Sequence, residues 1–338
     1  MDSKSSSTIN KFCLSCTTNL KLVILMNLFK HSLAICILLC MLTFSCNSQD
    51  VTVNDPALSS IIDKSAKVEK LAGGLKFTEG PVWSKQGFLL FSDIPGNIIY
   101  KWEKTKLSEY LNPSGNSNGL AFDKNGNLIA CQHGTRSLQS IDANKKSTTL
   151  IDSYQGKKLN SPNDLAIKSD GSIYFTDPPF GLAKQDEDST KELKFNGVYR
   201  FKDGKITLLD SSFVRPNGIA FSPDEKFLYV SQSEVDLIWK KFEVTKEGLL
   251  ANGKVFYQAS KLQGKGYADG LKLDVKGNLY CTAPGGIAIF TPAGKHLGTI
   301  HFPEITTNCV FGDADKKTLY VTGGNSLYKV KVKIPGLK

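Results

Sequence analysis

The chain lacks several of the patterns that announce a function directly. Of its 8 cysteines only Cys131, Cys281 and Cys309 lie beyond residue 46, and none of the three belongs to a CxxC pair. That argues against a zinc site and specifies no disulfide. Cys131 and Cys281 read instead as small buried hydrophobes within strands. The one GxSxG match, GNSNG over 115–119, runs into an apolar strand pattern rather than a strand-to-helix elbow, which disfavours a serine hydrolase. No glycine-rich phosphate loop or dinucleotide fingerprint follows a strand. Helical periodicity is absent after residue 70. The formal charge of +10 comes from 42 basic and 32 acidic residues, but the lysines are scattered, as at Lys101, Lys104 and Lys106. Residues 1–46 hold four Lys and one Asp, so the remainder carries 38 basic and 31 acidic residues, net +7. Without a basic stripe interleaved with aromatics, nucleic acid is excluded as a partner, and the lysines read as a solvated surface.

No apolar run reaches the roughly 20 residues that span a bilayer. The run Leu33–Phe44 follows Lys30 and His31 and ends in Ser45-Cys46, after which the chain turns polar. This is the form of a secretory signal. It is similar to a bacterial lipoprotein signal with Cys46 as the lipidated residue, although Thr43 and Phe44 depart from the usual box. The expectation is a leader over 1–46 whose true start is Met26, a tether over 47–65, and an exported protein: a periplasmic or outer-membrane lipoprotein of a bacterium that meets the membrane only through the anchor at Cys46. Plain secretion and an uncleaved anchor are the alternatives.

What is present after the leader is a repeat. Copies begin at Glu79 (EGPVWSKQGFLLFSD), Asn118 (NGLAFDKNGNLIACQ), Asn163 (NDLAIKSDGSIYFTD), Asn217 (NGIAFSPDEKFLYVSQ), Asp269 (DGLKLDVKGNLYCTA) and Asn308 (NCVFGDADKKTLYVTG). Four of them place a glycine eight residues on, at Gly87, Gly126, Gly171 and Gly277, and the other two carry one extra residue in that turn. A period of about 40–55 residues, read as strand, turn, strand, predicts an all-β, six-bladed β-propeller over residues 66–335. The 29 Gly, 19 Phe and 11 Tyr suit many short strands and turns. Ring closure should join a strand from 67–77 to the last blade, because an open ring leaves exposed edges. Outer strands are read at 97–102, 197–201, 237–244, 286–290 and 326–330. The charged stretch 177–196 is a candidate lid or rim loop.

Each copy opens on a carboxylate or amide, and equivalent positions in a propeller surround one axis. Asn-Gly and Asp-Gly are turn formers, yet each copy already has its hairpin turn later. The opening residues therefore read as the start of the innermost strand, beside a central tunnel. Glu79, Asn163, Asn217 and Asp269 offer only oxygens and total two negative charges, which would neutralise a hard divalent cation. No His or Cys occupies these positions, which argues against zinc or copper.

The motifs FTEGPVW, LFSDIPGNIIYKW, NSPNDLAIKSDGSIYFTDPPFG, RPNGIAFSPDEKFLYVS, YADGLKLDVKGNLYCT and TNCVFG resemble the gluconolactonase/regucalcin (senescence marker protein) family over about residues 70–332. Paraoxonases and diisopropyl-fluorophosphatase are more distant relatives. The resemblance implies a six-bladed propeller holding one divalent cation in its tunnel, usually calcium, with magnesium, manganese or zinc as alternatives. It places Glu79, Asn163, Asn217 and Asp269 on the metal ligands, and Asn118 and His133 near the substrate. Some relatives carry His where Asn118 stands, which puts a His–His proton relay in doubt. The implied activity is metal-dependent hydrolysis of a sugar lactone. Asp269 is the first candidate general base, and His133 the second if it is exposed and titrates near neutrality. Arg136 and Asp177, at strand exits, are candidates for binding sugar hydroxyls, with rim salt bridges as the competing role. Two other functions stay open: another metal-dependent reaction at the same site, such as phosphotriester hydrolysis or a lyase step, and a non-catalytic cell-surface propeller that binds a glycan or protein.

Overall fold

A computed structural model describes residues 50–337. The leader over 1–46, with Met26 and Cys46, lies outside them. The described chain is a six-bladed β-propeller. Each blade begins with the strand that opens one copy: Thr78–Trp83, Ser117–Phe122, Leu165–Ile167, Pro216–Phe221, Leu271–Leu273 and Thr306–Gly312. A hairpin turn leads to the second strand, and the predicted glycines sit at its left-handed position: Gly87, Gly126, Gly171 and Gly277 have φ between +80° and +89°. In the two longer turns Glu225 and Lys316, both at φ 55°, take that conformation.

The second strands are Leu89–Asp93, Leu128–Gln132, Ile173–Asp177, Phe227–Gln232, Leu279–Ala283 and Thr318–Gly323. They are buried on both faces, because neighbouring blades cover them, so they read as continuous apolar runs. The core lies between blades. Val82, Leu90 and Ile99 of blade one pack with Leu120, Leu128 and Ala130 of blade two. In blade three Phe175 stacks on Tyr199 at 5.3 Å between ring centroids, both fully buried; truncating such a ring to Ala costs about 3–5 kcal/mol.

The strands read from sequence as outermost are in fact the third of each blade, for example Ile98–Glu103 and Gly197–Lys202. Fourth strands follow at Lys106–Leu111, Ser147–Ile151, Lys205–Asp210, Leu250–Gln258 and His296–Ile300. In the first four a half-exposed, polar-rich pattern hides them, while His296–Ile300 is buried. The fourth strand of blade six is Glu69–Ala72 from the N-terminal side, paired with Ser326–Lys331. That pairing closes the ring.

The tether expected over 47–65 is replaced, from residue 51 on, by packed structure. Val51–Val53 adds a fifth strand to blade five, against His296–Ile300. A 3₁₀ turn over Pro56–Ser60 follows, capped by Asp55, whose carboxylate accepts the Ala57 N–H at 2.9 Å. Leu58, Ile61 and Ile62 are buried with Ile300, Val321 and Val332. The segment covers a sheet edge, a role that leaves no repeat pattern to read. Cys131, Cys281 and Cys309 are buried and free.

Candidate active site in the central tunnel

Backbone irregularity aims the opening residues inward. The pairing of first to second strand slips between Glu79 and Val82, Ser117 and Leu120, Pro216 and Ile219, and Thr306 and Asn308. Such bulges redirect side chains and recur next to active sites. Asn163 and Asp269 lie two residues ahead of their strands. In four blades the glycine after the opening residue, Gly80, Gly119, Gly218 or Gly270, permits the crowding at the axis. A Cβ on Gly80 would sit 1.9 Å from the Asn118 carbonyl oxygen, and one on Gly218 2.3 Å from that of Asp269. Second-strand hydroxyls lock the ring from behind: Ser92, Thr176 and Ser231 each donate at 2.7 Å to the carbonyl of the next blade's opening residue, Asn118, Asn217 and Asp269.

Three side-chain oxygens of this ring are buried without a hydrogen-bond partner: Asn118 Oδ1, Asn217 Oδ1 and Asp269 Oδ1. The orientations are held. Asn217 Nδ2 donates to Ser233 Oγ at 2.8 Å, and that hydroxyl donates to the Ala268 carbonyl at 2.9 Å, so the amide oxygen must face the other way. Asn118 Nδ2 lies 3.4 Å from His133 Nε2; with the amide as donor, the imidazole proton is assigned to Nδ1. Buried acceptors left unpaired are costly and call for a ligand. Among the described residues no group of three or more His, Cys, Asp or Glu forms a ready metal cage. The free oxygens are shared between amides and a carboxylate, a donor set that suits a hard cation.

The charge of the tunnel differs from the expectation. Besides Glu79 and Asp269 it contains Asp164, which sequence reading missed. Asp164 is 3 % exposed, and its Oδ2 accepts from Asn308 Nδ2 at 3.3 Å. Lys272 Nζ stands 3.9 Å from the same oxygen. Three carboxylates and one ammonium therefore share the tunnel. Glu79 Oε2 accepts from Gly80 N–H at 2.5 Å and from Asn308 Nδ2 at 3.1 Å. Burial, and then Asp164, push its carboxyl up to about 7. Burial, Glu79 and Asp164 raise Asp269 well above the carboxylate range. A signal for both missed residues was in the repeat: Asp164 stands where blades one, two, four and five have Gly80, Gly119, Gly218 and Gly270, and Lys272 where blades two to four have Ala121, Ala166 and Ala220.

The other expected residues separate. Asn118 and His133 do meet. His133 is buried, however, and desolvation pushes its pKa down to about 4; it is a neutral imidazole rather than the exposed base expected. Arg136 donates from Nε to the Leu159 carbonyl at 2.7 Å and from Nη1 to that of Thr190 at 3.0 Å, which ties two rim segments together. Asp177 is completely buried, and its two oxygens accept the N–H groups of Asn160 and Ser161, each at 2.8 Å. It holds a loop, and with both oxygens engaged it is placed as a structural acid rather than as the sugar-binding group expected. The stretch after Asp177 is a pinned rim. Asp186 pairs with Arg215 and lies 3.5 Å from Lys191, while Gly181 donates to Ser161 Oγ at 2.8 Å and abuts His133.

Residues 77–325 match the family model described as SMP-30/Gluconolactonase/LRE-like region. The chain is similar to the gluconolactonase of Zymomonas mobilis, 38% identical over 85% of this chain and 87% of that protein. It is similar in structure to a gluconolactonase from Xanthomonas campestris, with a TM-score of 0.77 and 33% identity over 83% of this chain and 94% of the other. A regucalcin from Agrobacterium tumefaciens, described as a calcium-binding protein, shares the fold at a TM-score of 0.68 and 18% identity over 80% of this chain and 95% of that one. With the repeat, the ring of blades and the inward-facing oxygens already in place, these matches establish that the chain belongs to the SMP-30/gluconolactonase/LRE-like family.

Proposed function

We propose that the protein hydrolyses sugar lactones in this tunnel with one divalent cation, calcium first, held by Glu79, Asn163, Asn217 and Asp269. The observation that carries the reading is the set of buried oxygens without partners, two of which, on Asn217 and Asp269, belong to that ligand set. The gluconolactonase relatives support the substrate class, and the calcium-binding regucalcin supports the cation. When bound, a divalent cation supplies Lewis acidity toward the lactone carbonyl oxygen. Asp269, ionised when a cation is bound, would take a proton from attacking water through the carboxylate oxygen left free of the cation. His133, neutral at physiological pH, and Asn118 supply a hydrogen-bonding wall for ring hydroxyls rather than a second base. Water adds to the carbonyl carbon, the ring C–O bond breaks, the ring oxygen leaves as a hydroxyl, and the aldonic acid releases its proton.

The test is proton release from glucono-1,5-lactone by chelator-treated protein, with calcium, magnesium, manganese or zinc then added back. Turnover restored by a cation supports the reading. Cation binding without turnover moves the search to phosphotriesters and to lyase substrates, and neither binding nor turnover favours a binding propeller. We also propose export as a lipoprotein, on the apolar run that ends at Cys46; Cys46→Ala should shift the protein from the membrane to the soluble fraction, and an unchanged distribution would sink the anchor.

A further inference from the structure

The first strands of the blades depart twice from small residues, once toward acid and once toward base, and the two departures meet. Asp164 replaces the repeat glycine in blade three, and Lys272 replaces the repeat alanine in blade five. Their heads are 3.9 Å apart. Between them sits Asn308, the opening residue of blade six. Its Oδ1 lies 3.4 Å from Lys272 Nζ and accepts the Cys309 N–H at 2.9 Å. Its Nδ2 is thereby turned toward the acids, with Glu79 Oε2 at 3.1 Å and Asp164 Oδ2 at 3.3 Å. Asn308 is thus fully engaged and withdrawn from the ring of free oxygens. Lys272 also donates to the Leu271 carbonyl at 3.1 Å, which anchors its head group.

We propose that Lys272 is a built-in counter-cation that holds Asp164 and Asn308 and fixes the ionised tunnel at a net charge of minus two, matching it to a divalent rather than a trivalent cation. The inference rests on the cation reading above. Ionised, as a bound cation would require, Glu79, Asp164 and Asp269 contribute three negative charges and Lys272 one positive. Oxygen sites tune cation affinity by the number of ligand charges, and charges a few ångströms apart in a partly desolvated tunnel interact strongly. An internal ammonium lowers the attraction for a trivalent ion more than for a divalent one, because the repulsion scales with the ion's charge. Lys272 is a positioning residue: it acts through Asn308 and through the field at the site.

The test is the affinity of chelator-treated full-length protein for Ca²⁺ and for Tb³⁺, by isothermal titration calorimetry at fixed ionic strength. Lys272→Met should raise the preference for Tb³⁺ over Ca²⁺ at least tenfold. Asp164→Asn should weaken Ca²⁺ at least tenfold. The double variant, again at minus two, should return the preference to within about threefold of wild type, and Lys272→Arg should retain it. Thermal melts establish that each variant is folded; if Lys272→Met is not, the double variant and Asp164→Asn carry the test. An unmoved preference in folded Lys272→Met, or unchanged Ca²⁺ affinity in Asp164→Asn, overturns this role while leaving the cation site intact. Failure of the wild type to bind either ion sinks the cation site itself, and this role with it.

Discussion

Asp177 and Asp269 are aspartates one strand apart in their respective repeats, and burial raises the pKa of both, Asp177 to about 7. Their oxygens distinguish them. Both oxygens of Asp177 are taken by backbone N–H groups of the segment that leads into its own blade. Asp93, at the equivalent position of blade one, does the same for Lys76 and Phe77 at 3.0 and 3.1 Å. This is scaffolding, repeated because the blade is repeated. Asp269 keeps Oδ1 out of solvent with no donor. Burial and a shifted pKa are common to the two, so neither separates them; the unpaired oxygen does. Asn160 Oδ1 beside Asp177 is also buried without a partner, so an unpaired oxygen points to the site only together with its place at the axis.

The sharpest break of that comparison is Asp269→Asn. It replaces a carboxylate by an amide at the axis and should lower kcat/KM for the lactone by at least about 10³-fold, roughly 4 kcal/mol of transition-state stabilisation. The metal-free variant should melt no lower than wild type, since a buried acid crowded by Glu79 and Asp164 becomes neutral. Glu79→Gln should act in the same direction. Turnover near wild type in either purified variant would remove the tunnel from the chemistry.

The repeat made most of the fold legible. The six opening residues, their turns and the second strands follow one register, and the N-terminal strand follows from the need to close the ring. The fourth strands were not legible, because their outer position leaves a weak pattern, and Val51–Ile62 was not, because it covers an edge once instead of recurring. At the site, periodicity located the inward residues but biased reading toward what recurs. Asp164 and Lys272 are departures from the repeat and were overlooked for that reason, while Asp177 drew attention as an acid at a strand exit although Asp93 repeats it.

His133 tests the comparison from the side of pH. Its folded pKa of about 4 lies below the ordinary 6.5, so protonation favours the unfolded chain. The stability it contributes is complete above pH 6.5 and is lost as pH falls toward 4, about 3 kcal/mol over that interval. His133→Asn keeps an amide beside Asn118 and abolishes the titration. Urea midpoints at pH 7 and pH 4 should therefore converge in the variant by about that amount relative to wild type. Parallel pH curves for the two proteins would mean that His133 is protonated, and so solvated, in the fold.

The smallest expected effect belongs to Asp177→Asn and runs opposite to that of Asp269→Asn. The new amide presents an NH₂ to one of the two N–H groups of Asn160 and Ser161, leaving a buried donor unpaired, at a cost of about 1–3 kcal/mol in stability. Urea denaturation should report that loss. The folded variant should keep kcat/KM within about threefold, because neither oxygen is free to meet a substrate. A tenfold fall in turnover without loss of stability would reverse the assignment: it would place Asp177 at the substrate, and the difference drawn between it and Asp269 would fall.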